Sequence, residues 1–144
     1  MQTISTTDLA HRLRPVVTRL ARRMRQRAAA ELSPTQGAAL VTIAAFGPLT
    51  PSELAARERI QRPTATRVLA RLEEAGLVAR TPDPADRRSS LVAATAAGLA
   101  LLDAVRDRKD AYLAQRLDSL SPSELAVLDE AAEILERMLE EGAE

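Results

Sequence analysis

Residues 62–94 read RPTATRVLARLEEAGLVARTPDPADRRSSLVAA, and this stretch decides the fold. Its first part repeats apolar residues at helical spacing and stops at Gly76, a residue type that commonly follows the last turn of a helix. Two short runs typical of β-strands follow, Leu77–Thr81 and Leu91–Ala94, and they enclose a tip rich in proline, aspartate and arginine. The stretch therefore predicts a helix followed by a β-hairpin with a long basic tip.

Three tetrapeptides elsewhere in the chain mark helix starts. Each begins with a hydroxyl residue, has proline at the first helical position and ends with Glu or Gln, which is the pattern of a capping box. They begin at Ser33, Thr50 and Ser121. The first two predict helices from Pro34 to about Ala45 and from Pro51 to roughly Glu58, with Gly47-Pro48 between them. A tight turn then leads into the helix of the decisive stretch.

Both ends of the chain carry helical stripes of apolar residues. The first stripe contains Pro15, so its helix either kinks at this proline or begins near it. Helical spacing returns from Thr95 onward, and the last helix has the three-and-four spacing of a short coiled-coil seam, which needs a partner. The stripes consist of Leu9, Leu13, Val16 or Val17, Leu20 and Met24 in the first segment, Leu99, Leu102, Val105, Leu113 and Leu117 in the second, and Leu125, Leu128, Ala132, Leu135 and Leu139 in the last.

Charge is segregated along the chain, although 20 basic and 20 acidic residues cancel. Residues 1–30 carry a net charge of +6, and residues 89–144 carry −7. This polarity predicts that the two ends meet, or that one face binds a polyanion. The alternative is that both regions are simply solvated.

Composition excludes several kinds of chemistry. The chain has no cysteine and one histidine, His11, which is interpreted as a surface residue. Disulfides, thiol redox chemistry, zinc sites and histidine-centred triads are therefore not expected. With five glycines there is no phosphate-cradling loop, and no nucleophile–base pair stands out, so we predict neither an enzyme nor a bound cofactor or metal. Of the two aromatic residues, Phe46 is interpreted as core, and Tyr112 is left open between the core and a pocket.

The length of 144 residues suits one domain with a sizeable core. The first residues, MQTISTTD, lack the apolar stretch of a signal peptide. The longest uncharged run, residues 89–102, is shorter than the roughly 20 apolar residues of a membrane span. A cytoplasmic protein without a membrane partner is therefore expected.

The fourth helix has two contrasting sides when its residues are placed at about 100° steps. One side is apolar, whereas the other has small residues for close approach and guanidinium groups that suit guanine in the major groove. The alternative is a solvated face whose arginines serve solubility. The core side consists of Ala65, Val68, Leu69, Leu72 and Ala75, and the candidate DNA-binding residues are Arg62, Thr64, Thr66, Arg67 and Arg71, with Ala70 among them.

The hairpin tip adds a second basic element. Arg87 and Arg88 follow Asp86 on a loop that two prolines stiffen. An arginine on such a loop suits the narrow minor groove of A·T-rich DNA, and Asp86 would hold a neighbouring guanidinium by a charge-assisted bond. The alternative is an ordinary charged loop tip. Together these elements predict a mainly α (α+β) fold, a winged helix-turn-helix, with Asp86, Arg87 and Arg88 as DNA-binding residues of the wing.

The stretch from Thr50 to Gly98 resembles the DNA-binding domain of the MarR (multiple antibiotic resistance regulator) family. The order and length of the helices match that family over essentially the whole chain. The matching pieces are Leu54-Ala55 in the third helix, the run from Thr66 to Val78, Asp86-Arg87-Arg88-Ser89 in the wing, and Thr95-Ala96-Ala97-Gly98 at the start of the next helix.

The resemblance implies a homodimeric transcriptional regulator, expected to be a repressor, that binds double-stranded DNA at a pseudo-palindromic operator. Arg88 then matches the family's minor-groove arginine, Asp86 the acid that positions it, and Arg87 is an additional base. Residues 1–32 and 99–144 would supply dimerisation helices around a DNA-binding domain at 33–98. The basic front and acidic rear would face each other across that interface.

The resemblance also implies a small aromatic or anionic effector that binds between the dimerisation helices and the winged domain and releases DNA. Release by cysteine oxidation is excluded by composition. Two other classes are weighed against this prediction. One is a helical dimer whose winged fold binds protein instead of DNA, and the other is a small enzyme.

Overall fold

The structure is a computed structural model that describes residues 2–28 and 31–142. This described part folds into six helices and one antiparallel hairpin, which confirms the predicted winged helix-turn-helix with helices at both ends. The elements are α1 (Thr6–Arg27), α2 (Pro34–Phe46), α3 (Pro51–Glu58), α4 (Arg62–Glu74), β1 (Val78–Pro82), β2 (Ser90–Ala94), α5 (Ala96–Leu117) and α6 (Pro122–Glu141).

Hydroxyl caps begin α2, α3 and α6 at the three predicted positions. Ser33 and Ser121 form complete capping boxes, in which the side chain at the third helical position also accepts the cap residue's N–H. The box at Thr50 is incomplete, so the prediction of a third complete box is wrong. The Thr50 hydroxyl accepts from the N–H of Glu53, but the Glu53 carboxylate lies 3.2 Å from that same hydroxyl and accepts its hydrogen, not the backbone N–H.

Helix α1 begins at Thr6, where Ser5 caps it, and passes through Pro15. The alternative in which the helix begins near this proline is therefore wrong. Leu13 and Met24, on either side of the proline, are half-buried, and α1 packs on α5. This packing offsets the hydrogen bond that a proline removes from a helix interior.

The hydrophobic core lies within the winged part, between α2, α3, α4 and the hairpin. Its largest fully buried side chains are Leu40, Ile43, Leu54, Leu69, Leu72 and Val92. The predicted core side of α4 is confirmed at Ala65, Val68, Leu69 and Leu72.

Two residues predicted to be core are exposed. Ala75 is the C-cap of α4, so it lies beyond the last turn that packs. Phe46, the last residue of α2, is 55% exposed, and the guanidinium carbon of Arg57 lies 3.9 Å from its ring centroid. The ring is therefore covered by a cation on the surface and not by the core.

The hairpin is anchored to the helices at both of its ends. Strand β1 pairs with β2 from Val78↔Ala94 to Pro82↔Ser90. Both strands reach one residue further toward the tip than predicted, and β1 begins one residue later than predicted, at Val78. Gly76 adopts φ +74°, which allows the N–H of Leu77 to return to the carbonyl of Leu72 at 2.9 Å. An isolated bridge between Leu49 and Val92 adds a third short segment that the sequence did not signal.

The terminal helices leave apolar surface uncovered. No residue of α1 or α6 is buried, and α6 makes no extensive contact with another element of the described chain. Beside the predicted seam, α6 exposes a second stripe that the sequence analysis missed: Val127, Ile134 and Met138. None of the described helices is both long enough and apolar enough to cross a membrane.

Candidate nucleic-acid interface

The outer side of α4 presents arginine and small residues to solvent. Arg62, Thr66, Arg67, Ala70 and Arg71 are exposed, as the helical period predicted. Thr64, the remaining candidate residue of this helix, is half-buried. The first turn of α4 contains no acid. Residues 62–71 therefore form a surface of arginines and small residues that no acidic side chain interrupts.

The start of α4 differs from the starts of the other described helices. Its N-cap residue, Gln61, makes no side-chain capping bond, so the first N–H groups of α4 have no side-chain acceptor. Helix N-termini carry partial positive charge and favour anions such as phosphate. Thr66 is exposed, and its hydroxyl donates to the carbonyl of Arg62 at 3.0 Å, so this hydroxyl can meet a further partner only as an acceptor.

The tip of the hairpin is held by local hydrogen bonds. Asp83 Oδ1 accepts the N–H of Ala85, and Asp86 Oδ1 accepts the N–H of Arg88, both at 2.9 Å. The N–H of Ser89 returns to the carbonyl of Asp86 at 3.0 Å. These bonds form a compact turn that places Arg87 and Arg88 at the exposed tip.

Asp86 acts on the backbone and not on a guanidinium. The ion pairs among the described residues are Arg80–Glu73 and Arg106–Asp103, so the predicted charge-assisted bond from Asp86 to a neighbouring arginine is not formed. The carboxylate satisfies the backbone N–H of Arg88 and fixes the turn, which leaves the Arg88 side chain free to reach outward.

A salt bridge that the sequence did not predict joins the fourth helix to the wing. Arg80 Nε on β1 lies 2.7 Å from Glu73 Oε2 on α4, and both side chains are partly exposed. Thr95 adds a second tie, because its hydroxyl donates to the carbonyl of Gly76 at 2.6 Å. No local sequence rule links residues seven and nineteen positions apart, so only the three-dimensional structure identifies these ties.

Tyr112, which was left open between the core and a pocket, lies on α5, and His11, which was interpreted as a surface residue, lies on α1. Tyr112 is half-buried and lines a cleft between α1 and α5, and His11 is exposed, as expected. Within the ranges that the structure describes, no three His, Asp or Glu side chains are placed to hold a metal ion. The basic elements of the fold are thus α4, the wing and the terminal helix α1.

The fold and these two exposed basic elements of the winged part define a winged helix-turn-helix protein. The sequence profile of the MarR family matches residues 32–90. An HTH-type transcriptional regulator of Mycobacterium bovis is 39% identical over 139 residues, which cover 96% of this chain and 97% of that protein. The chain belongs to the MarR family, which confirms the resemblance drawn from the residues.

Solved structures show the same fold. A transcriptional regulator protein from Pseudomonas aeruginosa PA01 matches with a TM-score of 0.83 and 34% identity, and the match covers 96% of this chain and 99% of that one. A variant of MepR from S. aureus, bound to an oligodeoxyribonucleotide, has the same fold, with a TM-score of 0.71, 21% identity and coverage of 95% and 99%.

Proposed function

We propose that this chain is a sequence-specific DNA-binding regulator of transcription that acts as a homodimer on a pseudo-palindromic operator. The observation that carries the proposal is the exposed side of the first ten residues of α4, residues 62–71, where arginines and small residues face solvent without an acid. Family membership supports it, and a protein of this fold is bound to DNA in a solved structure. No finding favours a winged module that binds protein instead.

The two basic elements suit the two grooves of one DNA segment. Helix α4 would enter the major groove, where Arg67 can donate two hydrogen bonds to guanine O6 and N7. Thr66 would contribute its methyl group or its acceptor lone pairs, since its hydrogen is already donated to the helix. Arg88 at the wing tip would enter the minor groove, whose narrow A·T-rich stretches concentrate negative potential.

The terminal helices would form the dimer. Residues 1–32 and 99–144 would supply them, on either side of the DNA-binding domain at 33–98. The support is the uncovered apolar surface of α1 and α6, of which Leu139 is 78% exposed. Surfaces of this kind on a folded chain mark interaction sites. A two-fold dimer would place two α4 helices about one DNA turn apart, roughly 34 Å.

The test of the proposal compares two arginines whose roles differ. Arg67→Ala is expected to lose about 1–3 kcal/mol of binding free energy and to blur the preference between a matched operator and one with changed major-groove bases. Arg88→Ala is expected to weaken binding to both sequences alike. Gel-shift titrations on fragments recovered by genomic pulldown measure both effects.

Arg108→Ala is the matched control, because Arg108 is an exposed arginine on α5, outside the proposed DNA-binding domain. It removes the same charge and is expected to leave both affinities near those of the unaltered chain. Unchanged affinity in the Arg67 and Arg88 variants, or the same loss in all three, would end the assignment.

Repression, the cytoplasmic location and an effector belong to the same proposal. A bound operator overlapping a promoter would block polymerase, so transcription from the recovered fragments is expected to fall when the protein is added. The effector is a small aromatic or anionic molecule, as the family resemblance implies. Its test is a titration of small aromatic acids into the protein–DNA complex, with release of DNA as the expected result and retained binding as the contrary one.

A further inference from the structure

The turn between α3 and α4 contains a residue in an unfavourable backbone conformation. Arg59 follows the last residue of α3 and adopts φ 53° and ψ 42°, which lie in the left-handed region. A Cβ atom crowds the following carbonyl oxygen in this region, so glycine adopts it most easily. The one other described residue with a positive φ is in fact a glycine, Gly76. An arginine at position 59 therefore makes the fold less stable than a glycine would.

The backbone of this turn is fixed, and the side chain of Arg59 is exposed. The N–H of Arg59 donates to the carbonyl of Ala56 at 3.3 Å, and the N–H of Ile60 donates to the carbonyl of Ala55 at 3.0 Å. Ile60 is half-buried and holds the turn against the helices, whereas Arg59 is exposed. Burial of the Arg59 side chain therefore does not offset the strain of its backbone.

Contacts of the Arg59 guanidinium do not offset this strain either. Within the part of the chain that the structure describes, this group takes part in neither ion pair and in none of the three cation–aromatic contacts. Two residues just before it are engaged elsewhere, because Arg57 lies over the ring of Phe46 and the carboxylate of Glu58 accepts the hydroxyl of Thr42. Strained residues that the surrounding structure holds in place are concentrated at functional sites. The charge of Arg59 therefore points to a partner outside the chain.

The position of Arg59 indicates which partner this is. Arg62 is the first residue of α4, and three residues of chain span at most about 11 Å. The major groove of DNA is about 12 Å wide, and phosphates run along both of its edges. With the start of α4 in that groove, the turn before the helix lies at the edge of the groove. An arginine there is within reach of the phosphates.

We propose that Arg59 binds a DNA phosphate at the edge of the major groove and thereby fixes the register of α4 in the groove. The inference rests on the proposed function and adds a contact that carries no sequence information, since all base pairs share the same phosphates. A glycine in this turn would relax the backbone but would provide no cation for the phosphate. Each protomer of the dimer supplies one such contact.

Arg59→Gly tests the inference, because fold stability and DNA affinity should change in opposite directions. Urea unfolding is expected to show a folding equilibrium constant about two- to fivefold higher than that of the unaltered chain, since the left-handed strain is relieved. The affinity for a recovered operator duplex, measured by fluorescence anisotropy, is expected to fall at least about tenfold at about 0.1 M salt.

A phosphate contact has two further signatures in the same titrations. The slope of log affinity against log salt is expected to become shallower by about 0.9 for each copy of the chain, and so by about 1.8 for a dimer on one operator. The loss of affinity should be the same on a matched operator and on one with changed major-groove bases. This equality distinguishes Arg59 from Arg67, whose loss should depend on the bases.

Two other substitutions at the same residue separate the charge from the backbone. Arg59→Lys retains both the charge and the Cβ atom, so its stability and its salt slope are expected to stay near those of the unaltered chain. Arg59→Asn tolerates the left-handed region without the flexibility of glycine, so it is expected to lose as much affinity as Arg59→Gly. The Arg108→Ala control removes an arginine from α5 and should bind with unaltered affinity.

Ethylation interference locates the contact on the DNA. Ethylation removes the charge of one phosphate, so it weakens binding wherever the protein uses that charge. Two phosphates related by the two-fold axis are expected to distinguish the proteins, at the edges of the major grooves that α4 enters. Ethylation at these phosphates should weaken the binding of the unaltered chain but not that of Arg59→Gly.

Several results would overturn the role of Arg59. They are a glycine variant with unchanged affinity and salt slope, a glycine variant less stable than the unaltered chain, a lysine variant that binds as weakly as the glycine variant, and a loss confined to the matched operator. An unaltered chain that retains no duplex DNA overturns the proposed function itself. A chain that binds DNA equally well without Arg59 overturns the phosphate contact alone.

Discussion

Gly98 shows how a single residue without a side chain fixes the wing to the rest of the molecule. A Cβ at this position would lie far inside the van der Waals distance of the Leu77 carbonyl oxygen and 3.4 Å from Leu40 Cδ1. The close approach allows the N–H of Thr95 to reach the Leu77 carbonyl at 3.0 Å. The glycine of the motif from Thr95 to Gly98 is therefore required by the contact between α5 and Leu77, the residue before β1.

Gly98→Ala is accordingly expected to destabilise the fold by about 1–3 kcal/mol, the range found for overpacked sites. Gly37→Ala is the matched control, because a Cβ at Gly37 in α2 meets no atom within 4 Å. This control is expected to be neutral or to stabilise by about 0.4–1 kcal/mol. Urea unfolding at one fixed protein concentration compares the two, and equal stabilities would contradict the proposed contact.

At Asp86, the negative charge and the hydrogen bond to the backbone should have opposite effects on the affinity for DNA. Its carboxylate accepts the N–H of Arg88 at the wing tip, yet its negative charge would repel the phosphates of a bound DNA. Asp86→Ala removes both effects, whereas Asp86→Asn keeps an oxygen acceptor and removes the charge. We expect geometry to dominate, so the Ala variant should bind DNA about fivefold more weakly, which corresponds to one ordinary hydrogen bond of about 1 kcal/mol.

The Asn variant is expected to bind at least as well as the unaltered chain. Fluorescence anisotropy with a labelled operator at one salt concentration measures all three proteins. Tighter binding by the Ala variant would mean that Asp86 acts only as a repulsive charge and does not position the wing.

At the scale of elements, the start of α6 depends on a titrating group. The carboxylate of Glu124 accepts the backbone N–H of Ser121 at 3.0 Å, and this hydrogen bond, with a second from the Ser121 side chain, lowers the pKa of Glu124 below its ordinary value. A lowered pKa means that the folded state favours the charged form. The capping box therefore stabilises α6 above the ordinary pKa of glutamate and loses this contribution as pH falls through the lowered pKa.

Glu124→Gln is expected to keep the cap and to abolish its pH dependence, because a glutamine oxygen accepts the same N–H without titrating. Carboxyl ¹³C shifts of Glu124 and the amide shift of Ser121 follow the cap between pH 2 and pH 7. The carboxyl midpoint is expected below the ordinary value for glutamate of about 4.3. A midpoint at or above that value would contradict the hydrogen bond.

Elements with local signals could be predicted from the sequence, and elements fixed by distant contacts could not. The capping residues and Gly76 gave the starts of α2, α3 and α6 and the end of α4, because caps act within one turn. The prediction that Phe46 is buried was wrong, because the last residue of α2 can turn its side chain outward onto Arg57. The Leu49–Val92 bridge joins residues more than forty positions apart, which no periodicity shows.

In the candidate site, too, features set by local sequence could be predicted, and features set by the folded structure could not. The exposure of the basic residues of α4 could be predicted, because the helical period alone decides which side is buried. The role of Asp86 could not, since whether its carboxylate bonds a guanidinium or a backbone N–H depends on the turn that the tip adopts. The tie between Arg80 and Glu73 depends on how the hairpin folds back on α4.

For the whole molecule, the net charge of zero conceals an uneven distribution of basic and acidic residues along the chain. A chain whose 20 basic and 20 acidic residues cancel has no overall attraction to DNA, so the attraction must come from where the arginines lie. Twelve of the 20 acids lie in residues 89–144, whereas the first ten residues of the fourth helix, residues 62–71, contain none. This separation would let the proposed DNA-binding face attract a polyanion although the chain as a whole is neutral.

The phosphate contacts made by this face should give a strong salt dependence. Each neutralised phosphate is expected to contribute about −0.9 to the slope of log affinity against log salt. The Arg88→Ala variant is expected to show a shallower slope than the unaltered chain, whereas the Arg108→Ala control should show the same slope. Equal slopes for all three proteins would place the wing outside the DNA contact.

Hydroxyl-radical footprinting on a recovered operator measures most directly whether two copies of the chain hold one duplex. Two related patches of protection are expected, with centres about 10–10.5 base pairs apart on one face of the DNA and with two-fold symmetry. Protection limited to a single patch, or cleavage as uniform as in free DNA, would contradict a symmetric protein that reads successive major grooves with α4.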